Sequence, residues 1–230
     1  MTDVKRDIAS SYEAAALGFS RYADVHVYRH LAAPLAESLR EVSGVILDIA
    51  SGSGALARRL PDVVALDISR RILTLNDVKR RVQADGERLP FANDSFAASA
   101  SAFGVNHFPR PVDAIREMAR VSPLIALITW ERPGAPYAPA ETVFGAIEAH
   151  CGRPRSRTGE AVERMSSEVG SESALANLLS SAGLHPTVDT IAAPVPWPGA
   201  EEFVDYRLST LGSSPPTPIS HGSETRRWPR

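Results

Sequence analysis

The sequence predicts an α/β protein of three layers, a mostly parallel sheet between helices, with a helical cap in front of it. Two observations carry this reading. The stretch Val45–Ala57 starts as a continuous apolar run and breaks at Ser51-Gly52-Ser53-Gly54 into good helix formers, which is the pattern of a buried strand, a tight turn and a helix. From there to Trp130, strand-like and helix-like stretches alternate five times. Such alternation produces parallel strands joined by crossovers, with a ligand site at their carboxyl ends.

Taken in order, residues 4–40 read as helices: Tyr12, Ala15, Ala16 and Phe19 fall at helical spacing, as do Tyr28, Leu31, Leu35 and Leu39, with Pro34 marking a break or a first turn. The aromatics Tyr12, Phe19, Tyr22 and Tyr28 suit helix packing first and a ligand wall second. After the glycine turn, Ala55–Leu60 predicts a helix of barely two turns before Pro61, and Val63–Leu66 a short second strand ending at Asp67. A carboxylate there can accept from two vicinal hydroxyls of a ribose, or it can cap the helix after Ser69. Ile72–Val78 reads as a helix, Arg81–Ala84 as a third strand before Asp85, and Phe96–Phe103 as a fourth strand of small residues. Asp113–Val121 is amphipathic, with Ala114, Ile115, Met118 and Val121 on one face, and it leads into the strand Leu124–Trp130.

Beyond Trp130 the pattern loosens. Pro133, Pro136 and Pro139 predict an irregular link, Thr142–His150 a helix, Arg153–Arg157 a loop, and Ser173–Ala182 a helix closed by Gly183. Thr187–Ala192 reads as a sixth strand, Ala200–Leu211 as a helix, and residues 212–230, rich in Ser, Pro, Thr and Arg, as a disordered tail. We divide the chain into a helical cap (1–40), a binding core (41–130), a lid and acceptor region (131–180) and a C-terminal part (181–211) of one domain. A chain of 230 residues suffices for one large core.

Composition narrows the function classes. A net charge of −2 argues against a broad nucleic-acid footprint, and Lys79-Arg80-Arg81 with Arg70-Arg71 reads as solvated surface. No apolar run reaches the length of a membrane span, and the polar, mixed-charge start has no secretory core, so a cytoplasmic protein without a membrane partner is expected. Cys151 is the single cysteine, which excludes an intrachain disulfide or a cysteine metal cluster; no metal is expected.

Asp48, Asp67 and Asp85 stand at or just after the ends of successive predicted strands. With Gly52 and Gly54 they resemble the class I S-adenosylmethionine-dependent methyltransferases, most closely the small-molecule branch called type 11. The matching segments are Ile46–Gly54, Leu66-Asp67-Ile68-Ser69 and Ala84–Phe91 with Asp94-Ser95-Phe96, followed by His107-Phe108 and Arg116–Val121. The resemblance implies a Rossmann-like sandwich and S-adenosylmethionine (SAM) as cofactor. It places the methionine part over Gly52 and Gly54, the ribose hydroxyls on Asp67 and the adenine amine on Asp85. Asp48 would orient the loop or approach the ammonium through water, and Ala50, Ser51, Ile68, Gly86 and Tyr22 would complete the site. A cofactor without phosphate but with an ammonium and a sulfonium suits carboxylates better than a phosphate cradle.

The chain departs from that pattern in three places. Ala50 replaces the first glycine and Ser51 the usual cysteine, the spacing from Gly54 to Asp67 is several residues short, and the family's last strand has no counterpart before the tail. The implied reaction is direct in-line transfer of a methyl group to a small-molecule acceptor, with His107 as candidate base and Trp130 and Glu131 as candidates for the acceptor wall. The chain is expected to act as a monomer or homodimer. Two alternatives stay open: a SAM-binding protein with impaired catalysis, and an NAD(P)-dependent oxidoreductase, because Gly52-Ser53-Gly54-Ala55-Leu56-Ala57 also fits the dinucleotide fingerprint.

Overall fold

The computed structural model describes residues 3–132, 138–151, 164–194 and 199–209. The expected loop at 153–157 and the tail from 212 lie outside the described residues. Five parallel strands, β1 (Ile46–Ile49), β2 (Val63–Asp67), β3 (Arg80–Gln83), β4 (Ala98–Ala102) and β5 (Ile125–Ile128), form one sheet in the order β3-β2-β1-β4-β5. All five strands expected up to Trp130 are present. The order reverses at β1, so the switch point between β1 and β4 opens at the carboxyl end of β1, beside the glycine turn.

Strand alternation divides the core between the two faces. Leu47, Ile49, Val64 and Leu66 pack on one side with Ile115, Met118 and Val121 of helix α4 (Pro111–Val121) and with Leu175 and Leu179 of α6 (Glu172–Ser181). Ile46, Val63 and Ala65 pack on the other with Leu35, Leu39, Leu56, Leu60 and Leu73. The small residues of β4 follow from this layering. Ala98 and Ala100 are buried in the second cluster, while Ser99 and Ser101 face the first and donate to Met118 O and Ile49 O. Buried hydroxyls are tolerable there because each has a backbone acceptor.

The N-terminal cap is helical as expected, but not uniformly so. Helix α1 (Asp3–Gly18) passes without a break into ten residues of π-helix, Phe19–Tyr28, and then a single turn at Arg29–Leu31. Asp24 in the π segment is fully buried and pairs with Arg29 at 3.2 Å and Arg58 at 3.0 Å. Arg58 also donates to Ser53 O at 2.8 Å, which ties the π-helix to the glycine turn. Pro34 lies in the first turn of α2 (Ala33–Ser38).

Three expectations are corrected. Ala55–Leu60 is not an α-helix but a set of turns ending in a 3₁₀ turn at Ala57–Arg59, because Leu60 must become extended before Pro61. The helix expected at Ile72–Val78 is α3 at Arg70–Thr74; it starts at Ser69, whose Oγ accepts from Ile72 N, and stops before Asn76, whose side chain accepts from Val78 N. Thr187–Ala192 is not a strand: it pairs with no neighbour, and Ile191 is exposed. Pro186 and Pro194 bracket the stretch and cannot donate to a ladder. Among the described residues the sheet therefore ends at β5. Helices α5 (Ala138–Cys151) and α7 (Ala200–Ser209) occupy the regions expected to be helical. Gly183, at φ +87°, follows α6 as its left-handed stop.

Ala50, directly after β1, has φ +57°. A side chain in that region costs about 1 kcal/mol that glycine would not. Ala50→Gly is expected to raise unfolding stability by roughly 0.5 to 1 kcal/mol, read from urea midpoints; an unchanged or lower midpoint would show that the turn carries no strain at this residue.

Candidate functional site

The glycine turn is built by the end of β1 and held by its neighbours. Ser51 Oγ donates to Asp48 Oδ2 at 2.6 Å and accepts from Asn76 Nδ2 at 3.0 Å. Gly52, at φ +56°, turns its N–H onto Asp67 Oδ2 at 2.9 Å. The parallel register pairs Ile49 with Leu66, so the turn after β1 faces the residue that ends β2. Asp67 Oδ1 accepts from Ser69 N at 2.9 Å. Asp67 thus orders the start of α3 indirectly, while Ser69 is the cap.

Ser51, Gly52 and Asp67 line a cavity of about 100 Å³. Of the residues singled out by sequence, Ala50, Ser51, Gly52, Asp67, Ile68, Asp85, Gly86 and His107 line it. Asp48, Gly54 and Tyr22 do not. Asp48 lies behind the turn and holds Ser51; Gly54, at φ +96°, leaves room for Asn76, whose Oδ1 would lie 2.6 Å from an added Cβ. Tyr22 is displaced by the π-helix: its wider turn brings Phe19 and Tyr28, nine residues apart, to the cavity instead. Trp130 lies outside this cavity but against it, its ring 4.6 Å from that of Phe103, and Glu131 is exposed and away from the wall.

Sequence reasoning missed several participants. Lys5 of α1 lies 2.6 Å from Asp85 Oδ2 and 2.5 Å from Glu87 Oε2. Glu13 accepts from Ser69 Oγ and Arg71 N, both at 3.0 Å. Asn76 carries the turn. The loop containing Asp85 is fixed to α4 by Glu117, which accepts from Leu89 N, and by Arg120, which donates to Leu89 O and Phe91 O. That explains the Arg116–Val121 pattern; Arg120 holds the Glu117 carboxyl below its usual range. Phe19, Tyr28 and Phe103 form an aromatic wall with Tyr12, with neighbouring rings 5.1 to 5.8 Å apart.

Burial shapes the titration. It pushes Asp48 up to about 7 and Asp67 up to about 6, each opposed by the hydrogen bonds it accepts. His107, enclosed by packed atoms, is held down at about 4. Its Nε2 lies 3.1 Å from Tyr12 Oη and 3.3 Å from Asn106 Nδ2. With Asn106 oriented to donate, Nε2 accepts and Nδ1 carries the proton, an N–H that is buried without a partner. At neutral pH the ring is uncharged. No group of side chains suited to a metal ion occurs among the described residues, and no described helix is long and apolar enough to cross a membrane.

A carboxylate whose folded pKa is raised binds more protons folded than unfolded. Its contribution is full below about pH 4 and is lost as pH rises to about 7. Asp48→Asn keeps an acceptor for Ser51 and abolishes that loss. Relative to the parent chain, the variant is expected to gain about 2 to 3 kcal/mol of unfolding free energy between pH 5 and pH 8, read from urea melts; parallel pH profiles would show that Asp48 ionises normally.

The comparisons with known proteins agree with this geometry. Residues 47–122, from β1 through α4, match the family model of a methyltransferase domain, type 11. A demethylmenaquinone methyltransferase of Beutenbergia cavernae is 35% identical over 111 residues, 44% of this chain and 45% of that protein. A ubiquinone/menaquinone biosynthesis C-methyltransferase of Coxiella burnetii is 26% identical over 184 residues, 71% of this chain and 69% of that protein. The chain thus spans about half the length of the first of these relatives. A solved SAM-dependent methyltransferase of Thermotoga maritima shares the fold, with a TM-score of 0.54, 18% identity and coverage of 76% of this chain and 81% of that one. With the glycine turn, the strand-end carboxylates and the strand order, these findings support a class I SAM-dependent methyltransferase with S-adenosylmethionine as cofactor, the likeness being carried by β1 through α4.

Proposed function

We propose that the chain transfers a methyl group from S-adenosylmethionine to a small-molecule acceptor. The observation that carries this reading is Asp67: a carboxylate at the end of β2, held by Gly52 N–H and Ser69 N–H and open to the cavity. The residues fit the cofactor. Asp67 offers two lone pairs to vicinal hydroxyls, Asp85 an acceptor for an exocyclic amine, and Ser53 Oγ is buried at the cavity wall without a partner. Asp48, behind the turn, adds negative charge near the place where an ammonium would lie. Arriving positive charge favours the ionised forms of Asp48 and Asp67.

When bound, the cofactor supplies a methyl activated by a sulfonium. The chain's own task is to hold the acceptor in line with it and to keep water out. Phe19, Tyr28 and Phe103 offer flat apolar surface to a planar acceptor, and the relatives' names point to a ring of the quinone class. For a ring hydroxyl, loss of the proton raises electron density at the neighbouring carbon. His107, uncharged and beside Tyr12, is our candidate for receiving that proton. To take it up, Nε2 gives up the hydrogen bonds from Asn106 and Tyr12, and the acceptor's developing charge raises its basicity.

Calorimetric titration with S-adenosylmethionine, S-adenosylhomocysteine and NAD tests the cofactor reading. Binding of the first two is expected, and Asp67→Ala should weaken it by about 1 to 3 kcal/mol, the value of hydrogen bonds to a charged group. Binding of NAD without response to the others would favour the oxidoreductase alternative.

A further inference from the structure

Helix α1 lies outside residues 47–122, the segment matched by the family model, yet three of its side chains line the cavity. Lys5, Ile8 and Tyr12 are spaced to fall on one helical face, a stripe about 10 Å long. Polar ties hold this stripe in place. At one end Lys5 bridges Asp85 and Glu87; in the middle Tyr12 Oη meets His107 Nε2; at the other end Glu13 accepts from Ser69 Oγ and Arg71 N, while Arg71 Nη1 donates to Glu13 O. Among the described residues, apolar anchorage is slight by comparison. The buried apolar residues of α1 are Ile8 and Ala16, and Ile8 belongs to a small cluster with Met165. An element held by polar ties over a cavity opens at lower cost than one set in the core.

We propose that Lys5 is a clasp that closes α1 over the cofactor cavity, so that cofactor enters and leaves only when Lys5 lets go of Asp85 and Glu87. The partners are arranged for release. When Lys5 departs, Glu87, whose side chain is wholly buried, keeps Arg110 N at 2.8 Å and Arg110 Nε at 3.2 Å. Asp85 keeps Glu87 N on Oδ1 at 3.0 Å. Neither carboxylate is orphaned, and the ammonium regains its water. The partners are arranged for closure too. Lys5 occupies one lone pair of Asp85 Oδ2, which leaves another for the adenine amine and lets the clasp shut with the cofactor inside. This inference rests on the reading of Asp85 as the adenine contact. On this proposal the tie is the same in the free and the bound protein, so it acts on rates and leaves affinity nearly unchanged.

The test uses the full chain and S-adenosylhomocysteine. In Lys5→Met, association and dissociation by stopped flow should each accelerate fivefold or more, with Kd changed less than threefold. Hydrogen exchange of α1 amides in the ligand-free protein should also rise, while that of β1 and β4 stays level. Lys5→Arg, which keeps the cation, should restore slow exchange. Glu13→Ala, which cuts the tie at the opposite end, should accelerate both rates as well and carries the same test if Lys5→Met does not fold. Binding by the parent chain with unchanged rates and unchanged α1 exchange in the variants overturns the clasp alone. A parent chain that binds no S-adenosylhomocysteine overturns the cofactor reading and the clasp with it.

Discussion

The hydrogen bond from Gly52 N–H to Asp67 Oδ2, 2.9 Å long, joins the turn after β1 to the end of β2, and the rest of the site is arranged around it. It requires three things at once: a left-handed residue at 52, the parallel register that places β2 beside β1, and a carboxylate that stays in a nearly dry place. The desolvation that raises the Asp67 pKa to about 6 is the cost of the last requirement. The backbone N–H groups of Ser69, Gly52 and Ile68 offset part of it. On the other side of the turn, Asp48 grips Ser51, which Asn76 grips in turn, so the loop is fixed from behind and in front. A loop fixed in this way presents its backbone to a ligand without having to be reordered on binding.

The cap completes what the sheet begins. Asp24, Arg58 and Ser53 O connect the π-helix to the glycine turn, and Glu13 connects α1 to the start of α3. The same few residues therefore order both the floor and the roof of the cavity. The aromatic wall comes from the roof and from Phe103, at φ +60° after β4. The opposite edge of the sheet is less complete. β5 is only partly buried along its length, Leu124 and Ile191 are exposed, and no strand pairs with β5 on its outer side among the described residues.

Much of this was legible in the sequence, for reasons that can be stated residue by residue. Val45–Ile49 and Val63–Leu66 are continuous apolar runs because their strands are buried on both faces, and Ala114, Ile115, Met118 and Val121 repeat at helical spacing because one face of α4 is buried. The strand-end carboxylates could be read because chain order and sheet order agree for β1, β2 and β3. What could not be read depends on contacts distant in sequence. Lys5 and Asp85 are 80 residues apart and Tyr12 and His107 are 95 apart, and neither pair leaves a local pattern. The π-helix has no signature in hydrophobic spacing, so Tyr12, Phe19, Tyr22 and Tyr28 read alike as a possible ligand wall, although Tyr22 does not reach the cavity. The 3₁₀ turn at Ala57–Arg59 was within reach, since Pro61 restricts Leu60, but helix-forming residues masked it. The missing sixth strand shows the opposite weakness: Thr187–Ala192 reads as a strand but pairs with no neighbour, and Pro186 and Pro194 beside it cannot donate to a ladder.

The proposed methyl transfer depends on Asp67 more than on any other residue, because it both shapes the turn and lines the cavity. A crystal structure of the chain with S-adenosylhomocysteine tests this most directly. The account predicts both ribose hydroxyls within hydrogen-bond distance of the Asp67 carboxylate, with the bonds from Gly52 and Ser69 retained. A nucleoside bound elsewhere, or one whose ribose does not touch Asp67, would contradict it.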